Sequence, residues 1–291
     1  MKVFPLIIAT VLLPLLSCSA QDTAMDSPRD TAETSFRAAT YNIRYNPAED
    51  VASGNGWKVR REPLAQLISR HQFDLVATQE GDSGQLSDLL GLLPGFDYVG
   101  FPYGGNDMHF CATFYKKDLF SVLDKGVFWF SETPDVPSIG WDATDRRICT
   151  WTKFRVNGTD KEFFVFNVHF YWRLETAKRE SGPLLAKKIK EITKGAPSIA
   201  LGDFNSTDRT SQIQAVEEVL SDAFDMTKTP RQGVEGTNLG GGVFEGNGKN
   251  RIDYIFVSPQ FGVEDYKVIS DTYGDAKYPS DHLPVTSMLS F

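Results

Sequence analysis

The sequence carries no excess of basic charge: 30 Lys and Arg stand against 38 Asp and Glu in 291 residues, a formal net charge of -8. That excludes the global basic footprint that drives nonspecific binding to nucleic acid and leaves room only for a local basic groove. The one basic stretch, Lys178 to Lys194, alternates with Glu180 and Glu191 at helical spacing and reads as a solvated helix face. Apolar runs of spanning length are absent, and so are repeats of solenoid type. Cysteines number three and histidines four. What is left, 41% hydrophobic and 23% charged, is ordinary for a soluble globular protein. The candidate chemical residues lie at 42, 80, 169, 203, 253 and 281. A site gathered from so many segments argues for one domain.

Met1-Lys2-Val3-Phe4 and the apolar run to Leu16 read as a secretory signal with a minimal positive region. It ends in Leu15-Leu16-Ser17-Cys18, which resembles a lipobox, so residues 1–18 are expected to be an export signal with Cys18 acylated. The competing reading is cleavage after Ala20, which releases a soluble secreted protein starting at Gln21. Residues 19–34 are polar and suit a flexible tether, leaving 35–291 for the domain. An oxidising compartment permits a Cys111–Cys149 disulfide; two buried free thiols fit the same apolar runs equally well.

Beyond the tether, eleven β-rich runs alternate with a few amphipathic stretches, and so many strands require two sheets or a barrel. Helices are expected over Arg61 to His71, Gln85 to Leu93, Leu174 to Ile192 and Thr210 to Leu220, with Gly182-Pro183 breaking or kinking the third. The architecture that fits is an α/β four-layer α-β-β-α sandwich of two packed, mainly antiparallel sheets flanked by helices. A strand is also expected over Val263 to Ile269, and the Gly-rich stretch from Gly233 to Asn250 reads as a loop of the kind that borders active sites.

Polar clusters close several apolar runs. Glu80 ends Leu75 to Gln79, a position usually filled by a turn residue or helix cap. In Gly202-Asp203-Phe204-Asn205 the i, i+2 spacing places Asp203 and Asn205 on one side of an extended chain, the carboxylate to take a proton from water and the amide to donate to a phosphate oxygen; an Asx turn is the plainer reading. Asp253 alternates onto the face of Ile255 and Val257, so it is expected to be partly buried and to need a partner, for which His282 is the natural candidate. An Asp that holds a His in one tautomer makes it a competent base. Asn167 and His169 share a strand face, where a lone histidine is more often structural.

The ordered set Tyr41-Asn42-Ile43-Arg44, Gln79-Glu80, Asn167-Val168-His169, Gly202-Asp203-Phe204-Asn205, Arg251-Ile252-Asp253-Tyr254 and Ser280-Asp281-His282 resembles the motifs of the endonuclease/exonuclease/phosphatase superfamily, over essentially residues 33 to 291. Phe128 to Pro134 and Trp141-Asp142 further resemble a subgroup of exported bacterial members. The resemblance implies a divalent-metal-dependent hydrolase of phosphate esters, diester or monoester, drawn from nucleic acid, phospholipid or sugar phosphate, with no obligate protein partner. It implies Mg²⁺, with Mn²⁺ an alternative, held chiefly by Glu80 with Asn42 and Asp281 near it. Asp203 would orient or deprotonate the attacking water, Asn205 and His169 would donate to the phosphate, and the Asp253–His282 pair would act as base or transition-state stabiliser. Arg44, Tyr171, Trp172 and Arg173 are candidate substrate contacts. The alternative is a degenerate, surface-anchored binding protein with little turnover.

Two departures from the family pattern surround His169. His109 stands where a Glu commonly supports that histidine, and His169-Phe170-Tyr171-Trp172 replaces His-Leu-Asp-His. Two adjoining imidazolium rings repel, so His109 and His169 are expected to titrate as a coupled pair, with the contribution of His169 falling above about pH 6 to 7.

Overall fold

The structure is a computed structural model that describes residues 1–2 and 34–291. The apolar export segment, Cys18 and nearly all of the expected tether lie outside the described residues. Residues Glu33–Phe291 form one compact unit. No helix among the described residues is long and apolar enough to cross a membrane.

Two sheets pack face to face. The first runs Gln232–Gly233, Lys267–Val268, Val285–Ser290, Ser35–Asn42, Leu75–Gln79, Asp107–Lys116, Phe96–Gly104, with Gly262–Val263 also on Val285–Ser290. The second runs Phe120–Trp129, Ile148–Val156, Glu162–His169, Ser198–Asp203, Asp253–Val257, Ser221–Asp222. Most pairings are antiparallel, but each sheet has a parallel pair at its centre: Ser35–Asn42 beside Leu75–Gln79, and Glu162–His169 beside Ser198–Asp203. Phe36, Leu75, Phe163, Val165, Leu201 and Ile255 form the core between the sheets. On the outer faces, Trp57–Arg70 and Ser83–Leu92 cover the first sheet, while Glu175–Thr193 and Ser211–Glu217 cover the second. This is the four-layer sandwich.

Period-two alternation positions the site. In Glu162–His169, Phe163 and Val165 face the inter-sheet core while Phe164, Phe166 and Val168 face the helices, so Asn167 and His169 continue the inner row. The same rows run Ile199, Leu201, Asp203 and Val257, Ile255, Asp253. The inner rows therefore end in polar residues at one end of the sandwich, where the register sets His169 opposite Asp203 and Asp203 opposite Asp253.

Two local expectations are corrected. Gly182-Pro183 does not break its helix, which is continuous over Glu175–Thr193. A Cβ on Gly182 would lie 2.1 Å from the Gln212 carbonyl oxygen, so the bare glycine seats this helix against Ser211–Glu217, and tertiary packing overrides local propensity. The run from Val263 to Ile269 forms two short strands, Gly262–Val263 and Lys267–Val268, because the Asp265 carboxylate takes the Met288 N–H between them. Cys111 and Cys149 are buried free thiols. They point to different clusters, Cys111 toward Tyr103 and Ile148, and Cys149 toward the helix-covered face.

Candidate active site

Asn42 and Glu80 come from the first sheet, His169 and Asp203 from the second, and all lie at the C-terminal ends of the two parallel pairs. Asn42 ties the sheets together: its Nδ2 donates at 3.0 Å both to Glu80 Oε1 and to Asp203 Oδ2. Asn42 Oδ1 accepts the Arg44 N–H at 3.1 Å. Beneath it, Gln79 Nε2 donates to Asn167 Oδ1 at 2.8 Å and Asn167 Nδ2 donates to the Thr78 carbonyl, fixing the sheets one layer below.

Asp203 is the hub. Its Oδ1 accepts the Asn205 N–H at 2.9 Å, and its Oδ2 lies 3.5 Å from His169 Nε2 and 3.7 Å from His282 Nε2. Asn205 has a φ of 48°, so the chain has already turned and strand alternation does not apply to it. The Asx turn forms, and it is what brings Asn205 back to the site. Its Nδ2 donates to the Phe170 carbonyl at 3.0 Å, which leaves the second amide N–H for a ligand. Gly202 fits close to Val168, whose carbonyl oxygen would lie 2.0 Å from any Cβ there.

His282 Nδ1 faces Asp253 at 3.0 and 3.2 Å, and Asp253 Oδ2 also accepts the Thr237 hydroxyl at 2.6 Å. Asn238 Nδ2 lies 3.2 Å from His282 Nε2. Both Thr237 and Asn238 belong to the Gly-rich stretch. A Cβ on Gly236 would meet the Gly248 carbonyl carbon at 2.4 Å, so glycine lets the two arms of this loop touch and deliver those side chains.

Burial pushes the Asp203 carboxyl up to about 7 against the opposing charge of His282. Burial alone would lower His282, but Asp253 and Asp203 outweigh it and hold the imidazole well above the ordinary range. Burial drives His169 well below that range, helped by the charges of Arg147, His282 and His109. Burial opposes ionisation of Glu80 too, yet the Asn42 hydrogen bond and the His282 and Arg44 charges hold it below the usual carboxylate range.

Other candidates are placed differently. Asp281 Oδ2 accepts the Gly242 N–H at 2.8 Å and lies 3.5 Å from Arg44 Nη1, so it flanks the centre. Arg44 is bound to Asp50 at 3.1 Å and is not a free phosphate clamp. Tyr171 is buried with its hydroxyl on Thr144, so its ring is not an open stacking face. Trp172 is 55% exposed and Arg173 is exposed. His169 is held through Nδ1 by the Tyr103 hydroxyl at 2.5 Å, whereas His109 pairs with Asp107 at 2.9 Å. Each histidine thus has a partner of its own, while the charge of His109 still lowers His169, the direction expected of adjoining imidazoles. Arg147, not anticipated from sequence, lies over the Tyr103 and Tyr171 rings and its side chain has no hydrogen bond or carboxylate partner among the described residues.

Glu80, His169 and Asp203 offer ligand atoms within 4.8 Å of one another, as do Asp203, Asp253 and His282. In the second group Asp253 and His282 are spent on each other. The first fits a cation better: Glu80 makes no ion pair among the described residues and accepts only from Asn42 and the Tyr45 N–H. Hard carboxylate oxygens suit a divalent ion that keeps several waters.

The chain matches the Endonuclease/Exonuclease/phosphatase family over residues 39–282. It belongs to that family. The mannosyl-6-phosphatase of Bacteroides thetaiotaomicron VPI-5482 is 39% identical in structural alignment, with a TM-score of 0.83 over 88% of this chain and 100% of its own. A protein of Acanthamoeba polyphaga mimivirus is 34% identical over 164 residues, 53% of this chain and 60% of its own length. The CCR4-Not complex 3'-5'-exoribonuclease subunit Ccr4 of Aspergillus terreus is 24% identical over 182 residues, 54% of this chain and 26% of its own. The chain thus spans less than two thirds of these two curated relatives.

The acid cluster has a consequence for the metal-free protein. Asp203 has a folded pKa above its unfolded value, so its contribution to stability is fully present below about pH 4 and is lost as pH rises through about 7. His282, also raised, adds loss in the same direction above about pH 6.5. A cation binds the deprotonated site and releases protons. Below about pH 6.5 the lowered His169 contributes in the opposite sense, so in chelator the Tm is expected to fall as pH rises from about 6.5 to 8, and saturating Mg²⁺ should raise Tm more at pH 8 than at pH 5. An equal Mg²⁺ increment at both pH values would refute this.

Proposed function

We propose that this family member is a metal-dependent phosphatase that removes phosphate from a sugar monoester, using Mg²⁺ or Mn²⁺. The observation that carries this reading is the cavity beside the centre. Its volume is about 710 Å³, and its lining includes Asp82, Asp107, Asp145, Asn106, Thr144 and Arg146. Asp107 is taken by His109, but Asp82 and Asp145 against Arg146 leave no basic excess for a polyanion and offer acceptors to the hydroxyls of a sugar. The cavity adjoins the centre through His109, whose ring packs 4.9 Å from Tyr45, the residue that donates its N–H to Glu80. The likeness to the mannosyl-6-phosphatase supports the same class.

Glu80 and Asp203 would hold the ion, which would neutralise phosphate charge and activate oxygen nucleophiles. Asp203, whose Oδ2 lies among Asn42, His169 and His282, is placed to accept a proton from water. The Asp253–His282 pair acts as an electrostatic stabiliser, because the two carboxylates hold the imidazole in its charged form. Arg147, the second N–H of the Asn205 amide and His169 Nε2 would bind the phosphate.

The test is a panel of sugar 6-phosphates, a bis-aryl phosphate and single-stranded RNA, with Mg²⁺ and with chelator. A sugar monoester is expected to be preferred by at least about 100-fold. RNA turned over fastest would support a nuclease, and no turnover would support a binding protein. Glu80→Gln should abolish turnover with the fold intact, because it keeps side-chain volume and removes the charge that attracts the ion. Turnover near the wild-type level would refute the ligand role.

We also propose membrane attachment through acylated Cys18, which the Leu15-Leu16-Ser17-Cys18 match supports. Cys18→Ala should move the protein out of the membrane fraction. An unmodified wild-type chain starting at Gln21 would point to ordinary secretion.

A further inference from the structure

Tyr103 lies on Phe96–Gly104, at the edge of the first sheet, and is fully buried. Its ring meets His169 edge-on, with centroids 5.8 Å apart, and its hydroxyl reaches His169 Nδ1 at 2.5 Å. The other partner of that hydroxyl is Cys111 Sγ at 4.0 Å. On the far side of the imidazole, Nε2 faces Asp203 Oδ2 at 3.5 Å. These neighbours decide where the protons go.

A phenol has one proton and a neutral imidazole has one N–H. If Nδ1 carried the proton, the phenol hydrogen would have to turn to a sulfur 4.0 Å away, a weak acceptor, and with Asp203 ionised the Nε2 lone pair would face a carboxylate oxygen. Acceptor would then meet acceptor in a buried site. The doubly protonated ring meets the same obstacle on the phenol side. In the remaining arrangement every donor has an acceptor: the Cys111 thiol has the Ile148 carbonyl at 3.9 Å or the phenol oxygen at 4.0 Å, the phenol donates to Nδ1, and Nε2–H points toward Asp203 and the space beside it. Leaving a buried polar group unmatched costs about 1–3 kcal/mol, enough to select one tautomer.

We propose that Tyr103 is a positioning residue that fixes His169 as the Nε2–H tautomer, so that the ring presents an N–H donor to a phosphate oxygen of the substrate. The role toward phosphate rests on the phosphatase reading; the tautomer does not. Because Tyr103 donates where a carboxylate would accept, the uncharged ring can still donate through Nε2.

The experiment is nitrogen-15 NMR of histidine-labelled, metal-free full chain near pH 7.5, with the His169 signals assigned by His169→Gln. Wild type should show a protonated Nε2 and an unprotonated, hydrogen-bonded Nδ1. Tyr103→Phe, which removes only the hydroxyl, should shift the Nδ1 signal and abolish the single tautomer. With Mg²⁺ and an aryl phosphate, the same variant should lose kcat by about 10- to 100-fold, the scale for an outer partner of an active-site histidine. KM should change little. A wild-type spectrum with Nδ1 protonated, or a Tyr103→Phe variant with the wild-type tautomer and kcat, would overturn the proposal. The expected spectra without turnover of any phosphate ester would leave the tautomer standing and remove the phosphatase reading.

Discussion

Asp203→Asn is expected to lower kcat by at least about 100-fold and to remove most of the stabilisation that Mg²⁺ gives at pH 8. The two effects share one cause. Asp203 is 1% exposed, and Asn42, His169 and His282 all approach its Oδ2 while Asn205 holds Oδ1. Above pH 7 burial makes the charge costly without a cation. An amide removes that charge and keeps one oxygen for the Asn205 N–H, so the Asx turn survives, but its NH2 group meets the Asn42 amide donor where Oδ2 stood. The same change removes the only hub oxygen that can accept a proton and weakens the hold on a divalent ion. Mg²⁺ should accordingly raise the Tm of the variant far less than that of wild type. A variant with wild-type kcat, or one that Mg²⁺ stabilises as much as wild type, would show that Asp203 serves structure instead.

The route from sequence to this centre worked where a charge and a periodicity pointed the same way. Asp253 falls on the face of Ile255 and Val257, burial demands a partner, and His282 lies against it. The inner-row placement of His169 follows from the same alternation. Failures arose where a side chain's role depends on a turn or on a distant segment. Asn205 lies past the strand end, in a left-handed turn that alternation does not describe. Tyr103 lies just past Asp97 to Pro102, one of the β-rich runs of the sequence; the real strand continues through a register shift at Pro102 and Gly104, which an edge position tolerates. Arg147 gave no signal, since an arginine among Asp145-Arg146-Arg147 looks like surface, and only the fold lays it over two rings.

Arg60 is the clearest residue that only the fold reveals, and its replacement should be the most destabilising single change near the site. The helix expected from Arg61 in fact starts one turn earlier, at Trp57, so Arg60 falls inside it and points inward with no exposed surface. A guanidinium has five N–H donors in a rigid fork, and here all five are used. Nε donates to the Asn55 carbonyl at 2.8 Å, Nη1 to Ile43 at 2.8 Å and Pro279 at 3.0 Å, and Nη2 to Arg44 at 3.1 Å and Tyr45 at 3.0 Å. The Trp57 and Phe244 rings lie 5.5 and 5.3 Å from it. One side chain thus binds the backbone just after Asn42 to the backbone just before Ser280-Asp281-His282, two segments that must stay in register for the centre to exist. Lysine keeps the charge but has three donors on a single atom, so Arg60→Lys loses at least two of these bonds. At about 1.5–3 kcal/mol for each hydrogen bond to a charged group, the expected loss is roughly 3–6 kcal/mol. Denaturant unfolding gives that number directly. Assayed well below its Tm, the folded variant should also show a kcat reduced at least about tenfold, because His282 and Asn42 no longer share a fixed frame. A lysine variant within about 1 kcal/mol of wild type and with unchanged kcat would mean that the carbonyls find other donors and that the two segments are held in register without Arg60.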